Sequence, residues 1–489
     1  MNNGPATLQR YTPLVCWVAV LLTSLFICLK IIGYGYLPPG DARRHVAKPF
    51  ADKPYSQIVI MRPEYVVDHS PGWEWLLGVV HREFGWDEDA LMSFSIASLV
   101  LWIFCLPLCW VRRPEAWMAA ILAQMIVIPE LMSARWAQAR PFLVTEGVLL
   151  ALLLAWSKDD AKNPARHKIF LTAAGFALAV WMHGSFYLWI LLPLAFFLAQ
   201  RWRSGLWLMA CWMAGTVVAA LLTGNPISFL HEAVFQARTM YQEHLPSWML
   251  VGELQSSTGE FGTLTLLALV YLWRKGQNRI AGSLFLNPLF WMIAMNWILG
   301  FFADRFWADW GIPAVLVWLA TQFDDAMPDI APAASLKRVM FCGLILLPLY
   351  LDTTDDFGRR YTFSLEEIFV DASKPEFKGW VPEKDGIFYA DGMTFFFNTF
   401  YKNPRAEWRY IEGFEPALMQ PDDLKVYRAI QRSRRAPEAY EPWIKKMRPQ
   451  DRLAVESPYQ PALPSLEWKR AGNFWLGRLP RNEGRGVKP

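Results

Sequence analysis

The chain has 489 residues, 54% of them hydrophobic, including 26 Trp and 32 Phe, and its mean hydropathy is +0.17. That is more apolar than a water-soluble domain carries, so the first class to consider is a membrane protein. A net charge of only +4 excludes, on global balance, a nucleic-acid or polyanion binder.

Residues 14–35, "LVCWVAVLLTSLFICLKIIGYG", are long enough to cross a hydrocarbon core of about 30 Å. No small-residue cleavage site follows, and "GYGYLPPG" reads as an interfacial exit, so the segment is expected to be an uncleaved first helix. Further apolar spans follow near 90–110, 115–134, 141–157, 169–183, 186–200, 205–223, 261–273, 282–302, 311–323 and 338–351. This predicts an α-helical multi-pass membrane protein of about 11 transmembrane helices. With the first helix running outward, the inner loops carry Arg112 and Arg113, Lys158 and Lys168, Arg201 and Arg203, Arg274 and Lys275, and Lys337 and Arg338. That is the positive-inside pattern. It places the N-terminus in the cytoplasm and the tail outside, as in a plasma-membrane protein of the bacterial inner-membrane kind with a periplasmic tail.

Three outer segments exceed simple turns: 36–89, 224–260 and the tail from 352. In "SPGWEWLLGVVHREFGW" (70–86), Trp73, Leu76, Leu77, Val80 and Phe84 recur at helical spacing opposite Glu74, His81 and Arg82, as in a helix lying along the interface. "HEAVFQARTMYQEHLPSW" (231–248) has the same character. In the tail, "GIFYADGMTFFFNTFY" (386–401) reads as a strand followed by a buried element, and the prolines and balanced charge predict a small soluble α+β domain. The expected domains are therefore a membrane domain, 1–351, and an extracytoplasmic domain, 352–489. The six cysteines all lie in apolar segments and read as packing residues. Cys105 and Cys109, one turn apart, lack His or Cys partners that would make them a metal pair.

Directly beyond the first helix, "GDARRHVAKPFAD" (40–52) concentrates acid, base and imidazole. An outer loop that opens on an acid and continues into interfacial helices resembles the GT-C superfamily of integral-membrane glycosyltransferases. "VDHSPGWEWLLGVVHREFGWDEDALMSFS" (67–95), "ARPFLVTEGVLLALLL" (139–154) and "DRFWADWGIPAVLVWLA" (304–320) are similar to that family's local patterns, in the same order. The likeness covers about residues 10–350 and is to the aminoarabinose transferase and protein mannosyltransferase type.

The resemblance implies an inverting transfer of a sugar from a polyprenyl-phosphate carrier to a lipid, glycan or protein acceptor, with membrane lipids and no nucleic acid as the other partners. Phosphate leaves without protonation, so one base suffices, unlike the two carboxylates of a glycosidase. Asp41 matches the family's acidic position and is the expected base, with Arg43, Arg44 and His45 as its charged surroundings and substrate contacts. Asp68 is expected to orient the acceptor or support the base. It could instead join His69 on a metal ion, or cap the helix that begins near Pro71. No Asp-x-Asp follows the first helix, so no metal cofactor is expected, and the same departure counts against an oligosaccharyltransferase. Arg305, Arg140 and Arg135, at outer helix ends, are expected to bind the donor phosphate, or else to anchor their helices at the interface. His183 is expected to contact the donor, or else to be a polar residue of the turn between two helices. A flippase should instead show repeated halves and interrupted midplane helices, and an O-antigen polymerase or ligase a large outer loop late in the chain.

Overall fold

The computed structural model describes residues 4–65, 68–158, 163–242, 254–257, 260–279, 283–330 and 335–480. Residues 243–248 of the second outer segment therefore lie outside the described part. In chain order the main helices are α1 (Gly4–Gly33), α2 (Asp41–Ala51), α3 (Pro71–Phe84), α4 (Glu88–Cys105), α5 (Pro114–Val127), α6 (Phe142–Trp156), α7 (Arg166–Met182), α8 (Leu191–Leu198), α9 (Trp202–Leu222), α10 (Pro226–Gln242), α11 (Phe261–Gly276), α12 (Pro288–Gly300), α13 (Ile312–Ile330) and α14 (Leu336–Thr354). The tail adds α15 (Met393–Lys402) and α16 (Pro421–Arg432) and the strands β1 (Ile387–Ala390), β2 (Arg409–Tyr410), β3 (Arg452–Glu456), β4 (Glu467–Ala471) and β5 (Phe474–Arg478).

The chain divides into two compact units. The first draws on Met1–Tyr36, Ser93–Pro226 and Leu245–Thr362, the second on Leu37–Met92, Ile227–His244 and Phe363–Pro489.

The first unit holds most of the apolar helices. Among the described residues three helices, Tyr11–Gly33, Glu88–Cys109 and Trp202–Leu222, are long and apolar enough to cross a bilayer. Pro114–Val127 with Leu131–Gln138 makes a fourth if that pair, bent by 94°, is one span, and the other apolar helices are shorter. Leu14, Phe26, Leu29, Val217 and Leu221 are exposed, as side chains solvated by lipid are. Helices α7 and α9 pack closely because α9 carries Gly215 at the contact. A Cβ there would lie 2.7 Å from the Ala173 carbonyl oxygen and 2.8 Å from the Ala177 nitrogen, both backbone atoms that cannot swing aside. Arg338 and Glu115 form a buried ion pair, with Nη2 and Oε2 3.1 Å apart.

The second unit is built on a five-stranded sheet of order β2-β1-β3-β5-β4. β1 is parallel to β2 and β3, while β5 runs antiparallel to β3 and β4. The segment after the first membrane helix extends this sheet: Ile60 N–H donates to Tyr410 O (2.8 Å) and Arg62 N–H to Leu418 O (2.9 Å), with bridges Val59↔Tyr410 and Met61↔Met419. One core joins Ala47, Tyr55 and Ile58 to Phe388, Phe396, Phe400 and Tyr410. The strand expected within 386–401 is β1, and the buried element after it is α15, where Phe395, Phe396, Phe397 and Phe400 are all buried. The six cysteines are free thiols, Cys109 exposed and Cys105 half-buried.

Candidate functional site

Gly40 makes the turn into α2 at φ 76°, a backbone conformation open to glycine and strained for other residues. Asp41 follows in the first turn, where the helix N-terminus favours an anion. The i, i+3, i+4 spacing sets Asp41, Arg44 and His45 on one face. Arg44 Nε donates to Asp41 Oδ1 (2.7 Å), and His45 Nε2 lies 3.1 Å from Asp41 Oδ2. Two further carboxylates close on the guanidinium, with Arg44 Nη1 3.4 Å from Asp68 Oδ1 and 3.7 Å from Glu74 Oε1. Glu74 stands in the first turn of α3 and accepts from the Tyr55 hydroxyl at 2.8 Å. The Asp68 carboxylate accepts the backbone N–H of His69 at 2.7 Å.

These neighbours sort the titrating groups. Burial raises the Asp41 carboxyl, but Arg44 and His45 outweigh it and hold it well below the usual range. Its side chain keeps 28% of its surface exposed, so Asp41 is an ionised carboxylate with an open side. Burial and the nearby Glu74 push Asp68 up to about 7 against the pull of Arg44. Burial and then Arg44 lower His45, which leaves its imidazole neutral.

Arg43 faces the other way, since adjacent helical residues point about 100° apart. It is buried, donates to Pro38 O (3.0 Å) and Glu367 Oε2 (2.7 Å), and also bonds the Asn398 amide oxygen. Its charge fastens α2 to the tail rather than facing Asp41. His69 lines a cavity of 180 Å³ together with Lys48, Tyr55, Tyr65, Asp68 and Glu74.

The cluster fits a divalent cation. His45, Asp68 and Glu74 each offer one ligand atom, all within 4.8 Å of one another. His45 Nδ1 is buried and lies 3.4 Å from Glu74 Oε1, and Asp68 is buried against the same carboxylate. A neutral imidazole and two carboxylates are a donor set suited to Zn or Mn. The expectation of no metal rested on the missing Asp-x-Asp. The ligands here come from three separated positions, which a search for a linear motif passes over.

The first unit holds a second polar cluster. Arg135 and Arg305 both pair with the buried carboxylate Asp309, Arg305 Nε at 3.3 Å from Oδ2. Arg305 Nη2 lies 3.1 Å from His183 Nε2, and the Arg135 guanidinium stacks 4.3 Å from the Phe142 ring centroid. Arg305, His183 and Arg135 thus come together, and Arg140 stands half-buried just ahead of α6. Sequence reasoning passed over Asp309, Glu74 and Tyr55. Only Asp309 had a local signal, its i, i+4 spacing from Arg305.

No protein-family model and no curated protein sequence matches the chain. Solved structures do. One is the oligosaccharyltransferase of Archaeoglobus fulgidus tethered to an acceptor peptide containing an NVT sequon, at 12% identity and TM-score 0.50 over 90% of this chain and 69% of that one. Another is the archaeal oligosaccharyltransferase AglB from the same organism, in complex with an inhibitory peptide and a dolichol-phosphate, at 12% identity and TM-score 0.54 over the same shares. The chain therefore shares its fold with these two oligosaccharyltransferase structures.

Proposed function

We propose that the protein is an inverting GT-C glycosyltransferase that moves a sugar from a polyprenyl-phosphate carrier to an acceptor on the outer face of the membrane. The observation that carries this reading is Asp41, ionised, partly open, and oriented from two sides by Arg44 and His45. As the acceptor O–H or N–H attacks the anomeric carbon, Asp41 takes its proton. The new bond forms as the bond from that carbon to the phosphate oxygen breaks, and the electron pair leaves on the lipid phosphate. One displacement inverts the centre.

Arg305, steadied by Asp309 and His183, is assigned to the donor phosphate, with Arg135 and Arg140 as supporting charge. Asp68 and His69, in the wall of the 180 Å³ cavity, are assigned to the acceptor. A divalent cation held by His45, Asp68 and Glu74, when bound, supplies positive charge to an oxygen of the substrate. The acceptor peptide and the dolichol-phosphate of the two neighbours support a protein acceptor and a lipid-phosphate donor as the classes to assay first.

The test is transfer in detergent. Purified protein is incubated with a labelled polyprenyl-phosphate sugar and candidate peptide, glycan and lipid acceptors. Covalent transfer without sealed vesicles is the expected result and cannot come from a flippase. Movement of labelled lipid across vesicles with no transfer to any acceptor class would overturn the reading.

A further inference from the structure

Helices α6, α12 and α13 each have one end at the Arg135–Asp309–Arg305 cluster: α6 begins at Phe142, α12 ends at Gly300 and α13 follows Gly311. Their other ends, about 22 Å away along α6 at 1.5 Å per residue, surround a separate cavity of 460 Å³. Three cations from three different connections line it, Arg112, Lys158 and Arg201, with the amides of Asn287 and Gln322 and one carboxylate, Asp325. The neighbouring Asp324 is turned onto the backbone and accepts the N–H groups of Arg112 (3.3 Å) and Arg113 (3.0 Å). Arg201 donates one guanidinium N–H to the Ser157 carbonyl, which holds it at the rim.

Basic residues at helix ends can serve membrane orientation alone. What distinguishes these three is the space they border. The Leu284 and Trp318 side chains that wall the basic cavity also wall a second one of 430 Å³. That groove runs between α11 and α12, past Leu267 and Tyr271 on one side and Phe290, Ile293 and Trp297 on the other. A charged chamber and an apolar slot thus share the wall of Leu284 and Trp318, a juxtaposition that matches a phosphate head and a hydrocarbon chain in one molecule.

We infer that this end of the bundle binds a phosphate-headed anionic lipid, with its head among Arg112, Lys158 and Arg201 and one chain in the groove between α11 and α12. Guanidinium groups hold phosphate oxygens in pairs, and the lysine adds a point charge. A zwitterionic lipid brings its own cation into the chamber and forfeits that match. The site stands at the helix ends opposite Arg305 and does not depend on the assignment of the donor.

The test is native mass spectrometry of the detergent-purified full chain with equimolar phosphatidylglycerol and phosphatidylcholine. The wild type should retain phosphatidylglycerol at least fivefold over phosphatidylcholine. The triple variant Arg112→Gln, Lys158→Gln, Arg201→Gln should fall to parity, and Ala268→Trp, which fills the slot, should lose retained phosphatidylglycerol at least threefold. Arg112→Gln alone alters an exposed side chain and should lower the ratio at least twofold, which keeps the test informative if the triple variant does not fold. A ratio unchanged in folded Arg112→Gln and in the folded triple variant would overturn the proposal. So would phosphatidylglycerol retention unchanged in folded Ala268→Trp, since a ligand indifferent to the slot is held by its phosphate alone and identifies a site for free phosphate.

Discussion

Replacing Asp41 by Asn keeps the shape of the side chain and removes its charge. On the proposed mechanism the amide cannot take a proton from an acceptor hydroxyl, so the transfer step loses its base. A positioned base contributes roughly 10²–10⁴ in rate, or about 2.7–5.4 kcal/mol of barrier at about 1.36 kcal/mol per tenfold. The cost to the fold is smaller. Arg44 Nε can still donate to the amide oxygen, now an uncharged acceptor, and keeps Asp68 at 3.4 Å and Glu74 at 3.7 Å, so the loss is at most that of one hydrogen bond to a charged group, about 1.5–3 kcal/mol. Single-turnover transfer by reconstituted protein, with the melting temperature measured on the same sample, separates the two effects. The expected result is a rate at least a hundredfold lower in protein that melts within a few degrees of wild type, with the donor still bound. Asp41→Glu should recover part of the rate because the longer carboxylate still accepts a proton. A variant that transfers within threefold of wild type removes Asp41 from the role and leaves the cluster as a structural ion network.

Charge reversal at Arg305, whose side chain remains 24% exposed, should raise the donor KM at least tenfold in folded protein; unchanged donor affinity identifies it as a helix anchor. Arg43→Ala breaks a buried ion pair and several hydrogen bonds at once and should lower stability by about 3–5 kcal/mol, read by thermal or denaturant unfolding; a loss below 1 kcal/mol would contradict its place between α2 and the tail. Gly215→Ala should cost about 1–3 kcal/mol, because a methyl group meets the α7 backbone at 2.7 Å; unaltered melting would mean that the two helices separate freely. Calorimetric titration with Mn²⁺ should give one site per chain, weakened at least tenfold in Glu74→Gln; heat identical in wild type and variant places the ion elsewhere.

The helices were legible where apolar runs are long and bounded. "LVCWVAVLLTSLFICLKIIGYG" falls within and just beyond α1, and the apolar stretch from Trp73 falls in α3. The number of spans was not, because Phe142–Trp156 and Pro288–Gly300 fall short of a bilayer by length alone and Pro114–Gln138 bends. Hydropathy sees composition and is blind to such breaks. Asp41 and Asp68 stood out through the resemblance to a family with acids in the first outer loop; from the residues alone, a turn after Pro-Pro-Gly and a helix cap accounted for them equally. Glu74 read only as the polar face of an amphipathic helix, since its approach to His45 and Arg44 joins segments that no periodicity connects. Arg43 and Arg44 are identical in type and adjacent in sequence, yet one meets Asp41 and the other meets Glu367 and Asn398. Helical geometry separates the two directions, and tertiary contact decides which is which.

The bond from Arg43 to Asn398 joins residues 355 positions apart, and β3, β4 and β5 come later still. A nascent chain therefore exposes α2 long before anything exists for it to rest on, and closing so large a loop makes this the slow part of maturation. A product that stops short of β3 should keep its membrane helices and yet be catalytically silent, so that incomplete copies in the bilayer are inert.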